Sequence, residues 1–224
     1  EYQYVQRVNN IGMRGRDVEL NSAHTNFRIL MLGDSFTMGK GVADDKTFSA
    51  LLESSQREKN KNVEVLNGGV DSYSPILSYL QLTRDLKDLH PNLVVLNLDM
   101  SDLVQESAYR KNATYNAQGE ILRIEGRFRL SLRIRRWINH NLYISRFIIF
   151  NFNKSSQSDA TSIENVTAQA NKELLKHTLE EDTEDRTEQW KNIFDSILKI
   201  KKYCDGHHSE FLLTIYPWGH QVSD

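Results

Sequence analysis

The stretch Arg28-Ile-Leu-Met-Leu-Gly-Asp-Ser-Phe-Thr-Met-Gly39 decides how the rest of the chain is arranged. Its apolar run, Ile29 to Leu32, ends abruptly in Gly33-Asp34-Ser35, a pattern typical of a buried strand that enters a tight turn. This first strand is predicted over about Phe27 to Leu32. At the carboxyl end of a central strand in an open α/β sheet, side chains face the crevice where such folds bind ligands. The sequence therefore predicts a serine hydroxyl at the rim of a parallel sheet.

Three more apolar runs predict the other strands of this sheet: Val63 to Leu66, Leu93 to Leu98, and Phe211 to Tyr216. Helical patterns separate the strands. The first helix is expected to be capped by Asp44 or Asp45 and to have Phe48, Leu51 and Leu52 on its inner face. The second is expected over about 76–89. The third is expected over about 188–203, with an apolar stripe that includes Ile193, Phe194, Ile197 and Leu198. Strands and helices that alternate in this way indicate βαβ units with right-handed crossovers. We predict an α/β fold, a flavodoxin-like three-layer sandwich with a parallel sheet and a mainly helical insertion.

The chain is predicted to divide into an N-terminal arm or edge strand (1–24), a core (25–105 and 188–224) and an insertion (106–187). From Arg123 to Phe152, arginines interleave with apolar and aromatic residues, which favours one or two amphipathic helices packed on the core. The alternative for this segment is a lid over the site, or a contact with a membrane surface or partner. The polar stretch Asn153 to Thr167 is typical of a mobile loop.

Composition excludes several classes of function. A net charge of −2 gives no general argument for binding nucleic acid or a membrane surface. Cys204 is the single cysteine, and no Cys/His set has the spacing of a zinc site, so we expect neither a metal nor a cofactor. No run of 18 apolar residues is present. The chain begins at Glu1 rather than Met, and we expect an extracytoplasmic or membrane-anchored bacterial protein. Membrane association would be possible only through a missing N-terminal segment or through residues 123–152.

The stretch Gly33-Asp-Ser-Phe-Thr-Met-Gly39 resembles the nucleophile block of the SGNH, or GDSL, hydrolase family. Two further patterns are similar to bacterial members: Asn67-Gly-Gly69-Val70 at the end of the second strand, and Ser101-Asp102 after the third. Asn10-Ile-Gly-Met-Arg-Gly15 also matches. The resemblance covers about residues 9–103 and 188–220, and it implies a flavodoxin-like serine hydrolase.

The resemblance assigns roles to individual residues. It implies that Ser35 is the nucleophile and that its amide is the first oxyanion donor. The family's second donor, a glycine amide, falls on Ser72, and the third, an asparagine side chain, falls on Ser101. The loss of one good oxyanion donor typically costs roughly 100- to 1000-fold in turnover, so these departures predict slow or rearranged catalysis. Gly69 is expected to line the site. Asp34 and Asp102 are expected there too, and the alternatives are that Asp34 holds the turn and that Asp102 caps the next segment.

A serine nucleophile requires a base at neutral pH. In the family this base is a histidine three residues after an aspartate near the carboxyl terminus. Asp205-Gly-His-His208 has that spacing, but it precedes the last strand and so is predicted to lie at the opposite edge of the sheet. His220 follows the last strand and is expected to line the site. His24, His90, His140 and His177 are interpreted as surface or packing residues. We expect the catalytic Asp/His block beyond Asp224, in a longer enzyme.

The sequence therefore predicts a serine esterase or deacylase that acts on a small-molecule or glycan ester, for example an acetylated glycan. An O-acyltransferase that uses the same serine is the second hypothesis. The third is a non-catalytic protein that binds a glycan or partner through a degenerate site marked by Ser72 and Ser101. Nothing in the sequence indicates the oligomeric state.

Overall fold

The computed structural model describes residues 5–20, 26–59, 61–124 and 184–216. The chain forms two compact units, Glu1–Arg110 with Thr183–Asp224, and Lys111–Asp182. The second unit lies within the segment 106–187 for which an insertion was predicted. The first unit carries the sheet and the predicted site.

The described residues contain six strands and five α-helices. The strands are β1 (Phe27–Leu32), β2 (Val63–Asn67), β3 (Leu93–Leu98), β4 (Ala113–Tyr115), β5 (Ile121–Ile124) and β6 (Glu210–Ile215). The helices are α1 (Ser35–Met38), α2 (Phe48–Glu58), α3 (Pro75–Leu80), α4 (Asp102–Arg110) and α5 (Glu184–Gly206). A π-helical turn, Gln81–Asp85, and a 3₁₀ turn, Lys87–Leu89, continue α3.

The first unit is built on a parallel sheet with the strand order β2-β1-β3-β6. This order is that of flavodoxin-like folds, which bind ligands beyond the carboxyl ends of the strands. Leu32, the last residue of β1, lies opposite Leu96, whereas β3 continues to Leu98. The turn that follows β1 is therefore flanked by the end of β3. The predicted α/β fold with a parallel sheet is confirmed.

Helices cover both faces of this sheet. On one face, Leu30, Leu32 and Leu96 of the strands belong to a core cluster that includes Leu82 after α3 and Ile193 of α5. On the other face, a smaller cluster is formed by Ile29, Met31, Val65 and Val95, and Leu52 of α2 packs against it. Successive strand residues are buried alternately in the two clusters, because neighbouring side chains of a strand point to opposite faces.

Some predicted helix faces and bounds were wrong. Thr47, not an aspartate, caps α2, and its hydroxyl accepts from the Ala50 amide at 3.3 Å. Leu51 is 51% exposed, because α2 contributes mainly Leu52 to the core. In α5 the buried stripe is Ile193, Ile197, Ile200 and Cys204, whereas Phe194 and Leu198 are more than half exposed. The single helix predicted over 76–89 is instead three short helical segments.

The N-terminal arm is a tight turn that leads into the core rather than an extended edge strand. The Asn9 side-chain oxygen accepts from the amides of Ile11 at 3.2 Å and Met13 at 2.9 Å. Gly12 has a φ of 82°, the left-handed region that glycine tolerates best. The Met13 side chain is buried in the main core cluster, and Arg14 forms an isolated antiparallel bridge with Asn67 at the end of β2. These contacts attach the arm beside the outer edge of the sheet.

The described part of the second unit is an antiparallel hairpin of β4 and β5. Its loop is stabilised by the Asn116 side chain, which accepts from the amides of Gln118 at 3.0 Å and Glu120 at 2.7 Å. Arg123, from which amphipathic helices were predicted, lies on β5, so the helical prediction was wrong for this part. The rest of that segment and the loop predicted over 153–167 lie outside the described residues. No helix in the parts described has the length and apolar character to cross a membrane.

Candidate active site

Ser35 is the first residue of α1 and follows β1 after a two-residue turn. Asp34 caps this short helix, because its carboxylate accepts from the Phe36 amide at 2.9 Å. Gly33 has a φ of 148°, and a Cβ there would lie 2.3 Å from the Thr37 hydroxyl oxygen, so only glycine fits this turn. The Ser35 side chain is partly exposed. The turn thus presents a serine at the carboxyl edge of the sheet, as the sequence predicts.

The loop after β2 packs directly on this serine turn. A Cβ on Gly69 would come within 2.3 Å of the Met38 amide nitrogen, so the two backbones touch. The Val70 amide also donates to the Gly33 carbonyl oxygen at 3.0 Å. Asn67 holds the loop, since its side-chain oxygen accepts from the Gly69 amide at 3.1 Å. Gly69 therefore lies beside the serine turn, and its amide is already engaged by Asn67.

Ser72 lies in the same loop and has a φ of 64°. This left-handed conformation is one that a glycine adopts without strain, whereas it is strained for serine. The Ser72 carbonyl accepts from the Tyr109 hydroxyl at 2.8 Å. This bond joins the loop to α4.

The loop after β3 carries two interlocked carboxylates. Asp99 accepts from the Ser101 amide at 2.6 Å, and the Asp99 amide donates to Asp102 at 2.9 Å. Asp102 is only 2% exposed, and its other oxygen, Oδ1, has no hydrogen-bond partner. Burial, reinforced by the charges of Asp99, Asp34 and Glu106, raises the pKa of Asp102 to about 8. The neutral acid is thus the form of Asp102 favoured at pH 7.

Asp34 belongs to the same group of carboxylates. Burial is the main cause that raises the pKa of Asp34, and the charge of Asp99 adds to it. We refer to Asp34, Asp99 and Asp102 as the acidic cluster. Ser101, on the Asp99 loop, accepts at its hydroxyl from the Gln105 side chain at 3.4 Å, a long contact. The electrostatic coupling of Asp34 with Asp99 links the serine turn to the loop that carries Ser101.

Tyr216, directly after β6, closes the edge of the site beyond β3. Its hydroxyl donates to Asp99 at 3.2 Å, and its ring lies 4.6 Å from the ring of Phe36 at an interplanar angle of 52°. Burial and the Asp99 charge raise the pKa of the Tyr216 phenol. Sequence reasoning did not identify Asp99 or Tyr216 as site residues. Their positions, each directly after a predicted strand, were the available signal.

Glu106 of α4 connects the supporting elements behind the loops. It is fully buried and accepts from the Ser74 hydroxyl at 2.8 Å, the Ile76 amide at 2.9 Å, the Ser196 hydroxyl at 2.5 Å and the Arg110 guanidinium at 3.0 Å. Four donors satisfy both carboxylate oxygens, which is what a buried charge requires. Glu106 therefore fixes the start of α3 relative to α4 and α5.

The described histidines lie away from this site. Since β6 begins at Glu210 opposite Leu93, residues 205–208 lie at the amino edge of the sheet, as predicted. His207 stacks on Tyr203 at 3.9 Å, and Asp205 is paired with Lys201 at 2.7 Å. His220 lies outside the described residues. No cluster of three or more metal-ligating side chains occurs in the part of the chain that the structure describes.

The contacts therefore bring together three loops at one edge of the sheet: residues 33–40, 68–74 and 99–102. Gly69 packs on Thr37 and Met38, in the helical turn that begins at Ser35, and the Val70 amide binds the Gly33 carbonyl before it. Asp99 binds both Asp102 and Ser101, and Tyr216 connects Asp99 to Phe36, the residue after Ser35. Ser72 is held on the second loop. Their catalytic roles stay predictions.

Comparison with known proteins gives only loose structural likenesses. No family model matches the chain, and no curated protein sequence matches it. Among solved structures, a mutant of the esterase AlinE4 is 25% identical, with a TM-score of 0.33 over 38% of this chain and 46% of that one. TesA is 23% identical, with a TM-score of 0.33 over 35% and 43%. A catalytic mutant of Axe2, an acetylxylan esterase from Geobacillus stearothermophilus, is 14% identical, with a TM-score of 0.31 over 82% and 74%.

The aligned region thus spans less than half the length of the AlinE4 mutant and of TesA. The fold is defined by the chain's own strand order, which is that of a flavodoxin-like α/β protein.

Proposed function

We propose that this chain is an SGNH-type serine esterase, which hydrolyses a carboxylic ester through an acyl-serine intermediate. The observation that carries the proposal is the presentation of Ser35 at the carboxyl edge of β1, on a glycine-dependent turn packed against Gly69. This is the edge where ligands bind in such sheets. The position of Ser35 agrees with its place in the Gly-Asp-Ser-Phe-Thr-Met-Gly stretch. This agreement supports a role for Ser35 as a nucleophile rather than as a buried packing residue.

In the proposed reaction, the Ser35 oxygen attacks the ester carbonyl carbon while a histidine accepts the hydroxyl proton. The carbonyl oxygen takes up the negative charge and is stabilised by the amides of Ser35 and Ser72 and by the Ser101 hydroxyl. The carbon–oxygen bond to the alcohol then breaks, and the histidine returns the proton to the leaving oxygen. Water hydrolyses the acyl-serine by the same steps. His220, which follows β6 in the sequence, is the candidate for this histidine in this chain.

The expected rate depends on Ser72 and Ser101, which stand where the resembled pattern has a glycine and an asparagine. An amide at position 72 does not depend on the side chain, so this donor survives while the positive φ is maintained. Ser101 has a shorter side chain than the asparagine it replaces, and a poorly placed third donor is expected to lower turnover by about 100-fold or more. We therefore propose a slow esterase or one specialised for a reactive ester.

Kinetics of the full-length protein with a short-chain ester test the proposal. Release of free acid should disappear in Ser35→Ala and persist in Ser54→Ala, a matched control on the exposed surface of α2. Transfer of the acyl group to an added sugar hydroxyl, with little free acid, would assign an O-acyltransferase instead. If Ser35→Ala hydrolyses the ester as fast as the unaltered protein, the proposed nucleophile is wrong.

A further inference from the structure

Most backbone amides in the loop after β2 already have an acceptor. Gly68 donates to Met31 at 2.8 Å, Gly69 to Asn67 at 3.1 Å, Val70 to Gly33 at 3.0 Å and Tyr73 to Val70 at 3.0 Å. Within residues 68–73, only the amides of Asp71 and Ser72 have no acceptor in the described part of the chain. The Ser35 amide has none there either. Ser72 is thus a position in this loop whose amide is available to a ligand oxygen.

The backbone of Ser72 is held in a conformation that serine does not favour. Its φ of 64° lies in the left-handed region, which is strained for residues with a Cβ. Such a conformation persists only where the surrounding structure holds it. The Tyr109 hydroxyl contributes this support, since it donates to the Ser72 carbonyl oxygen at 2.8 Å. A return of Ser72 to negative φ would rotate its amide relative to the bonded carbonyl and so change the direction in which the amide donates.

Tyr109 lies on a helix that is itself firmly attached. The next residue of α4, Arg110, donates to the buried Glu106 at 3.0 Å. Glu106 also accepts from the Ser74 hydroxyl at 2.8 Å, at the end of the same loop. The helix therefore holds the loop at two points, at Ser72 through Tyr109 and at Ser74 through Glu106. A bond to a fixed element can maintain a strained backbone, whereas a bond to a mobile one would move with it.

The Tyr109 hydroxyl is a donor under ordinary conditions. Burial is the main cause that raises the pKa of the Tyr109 phenol, and the charges of Tyr73 and Asp71 add to it. The phenol therefore keeps its proton at neutral pH, and that proton is the one donated to Ser72. Replacement by phenylalanine removes this single bond and keeps the ring in place.

We propose that Tyr109 is a positioning residue for the esterase reaction, because it holds the Ser72 backbone so that the Ser72 amide can donate to the oxyanion formed at Ser35. This inference rests on the proposed esterase function, since it assigns a support to one donor of the same site. Tyr109 acts through the Ser72 peptide group rather than on the reacting atoms. Donors that are already aimed at the developing charge stabilise it without reorganisation, so a loosened donor lowers the rate.

Kinetics of the full-length protein with a short-chain ester test this role in two backgrounds. Tyr109→Phe should lower kcat by about 10- to 100-fold, less than the loss of a whole donor, and should leave KM within about 2-fold. In a Ser72→Gly protein the same change should cost less than about 3-fold, because glycine adopts the positive φ without support. Tyr115→Phe is the control, since Tyr115 is 42% exposed on β4 and should leave kcat unchanged. Thermal unfolding checks that every variant is folded at the assay temperature.

A fall in kcat on Tyr109→Phe that is largely removed by Ser72→Gly supports the proposal. Unchanged kcat in Tyr109→Phe, with hydrolysis that still depends on Ser35, would overturn it. An equal fall in both backgrounds would also overturn it, because the effect would not pass through the Ser72 backbone. Failure of the esterase function has a different signature. If Ser35→Ala hydrolyses the ester as fast as the unaltered protein, the nucleophile is wrong, and the positioning role is wrong with it.

Discussion

The guanidinium of Arg14 donates to the carbonyl oxygen of Gly39 at 2.5 Å, which joins the N-terminal arm to the turn that begins at Ser35. The same side chain donates to the carbonyl oxygens of Met38 at 2.9 Å and Val42 at 2.6 Å, and it pairs with Asp44 at 2.8 Å. Only 3% of the Arg14 side chain is exposed. These bonds satisfy carbonyl groups at the end of α1, where a short helix has few partners of its own.

Arg14→Lys should therefore loosen the nucleophile turn. A lysine has a single point of charge and cannot reach all of these oxygens at once. We expect a loss of about 1–3 kcal/mol in the free energy of unfolding, and a larger fall in kcat than rise in KM. Urea denaturation and ester kinetics measure these effects. Arg16→Lys is the control, since the Arg16 side chain is 52% exposed and its partners Glu53 and Glu64 keep bonds to the Val65 amide and Arg28, so it should lower stability less than Arg14→Lys does.

Ser72→Gly should stabilise the protein, because the φ of 64° is strained for serine and not for glycine. The gain is at most about 1 kcal/mol, as glycine also raises the entropy of the unfolded chain. Ser72→Ala keeps the strained backbone and should bring no such gain. Thermal unfolding of the two variants compares them directly. Equal melting temperatures would show that the backbone at residue 72 is not strained.

Glu106→Gln should be strongly destabilising even though the side chains have the same shape. All four partners of Glu106 are donors, and an amide NH₂ group would face some of them. We expect a loss of about 2–4 kcal/mol in the free energy of unfolding. Asp195→Asn, which removes a partly exposed partner of the same Arg110, should cost much less. A similar loss for both variants would contradict the anchoring role of Glu106.

Asp102 should make stability fall as the pH rises. The native state keeps a proton on Asp102 up to about pH 8, whereas an unfolded aspartate has released it above about pH 4. Between these values, folding requires proton uptake, so the free energy of unfolding decreases with pH, by up to about 1.4 kcal/mol for each pH unit. Asp102→Asn mimics the protonated acid and should flatten this slope. Chemical denaturation at pH 5 and pH 8 tests it, and identical slopes would refute the assignment.

The sheet could be predicted from the sequence because its strands are continuous apolar runs bounded by glycine, proline or aspartate. β1 and β3 were predicted at their observed bounds, and β2 and β6 within one residue. The helix faces were harder. Phe194 fits a helical stripe as well as Ile193 does, and only the packing of α5 against the sheet decides which is buried.

The site was predictable only where local sequence carries the signal. Ser35, Asp34 and Gly69 lie in glycine-rich turns at strand ends, and these turns can be recognised without tertiary information. Asp99 and Tyr216 act through a contact between residues more than a hundred positions apart in the sequence. The contacts of Arg14 could not be predicted either, because nothing in the sequence around a buried arginine indicates which carbonyl groups it will bind.

The proposal on which the esterase function depends is that the Ser35 hydroxyl is an active nucleophile at the open edge of the sheet. Its most direct test is treatment of the full-length protein with a fluorophosphonate, followed by peptide mass spectrometry. We predict a single stoichiometric adduct on the peptide that contains Ser35, absent from the Ser35→Ala protein. An adduct on another residue, or no adduct in a preparation that hydrolyses esters, would contradict the claim.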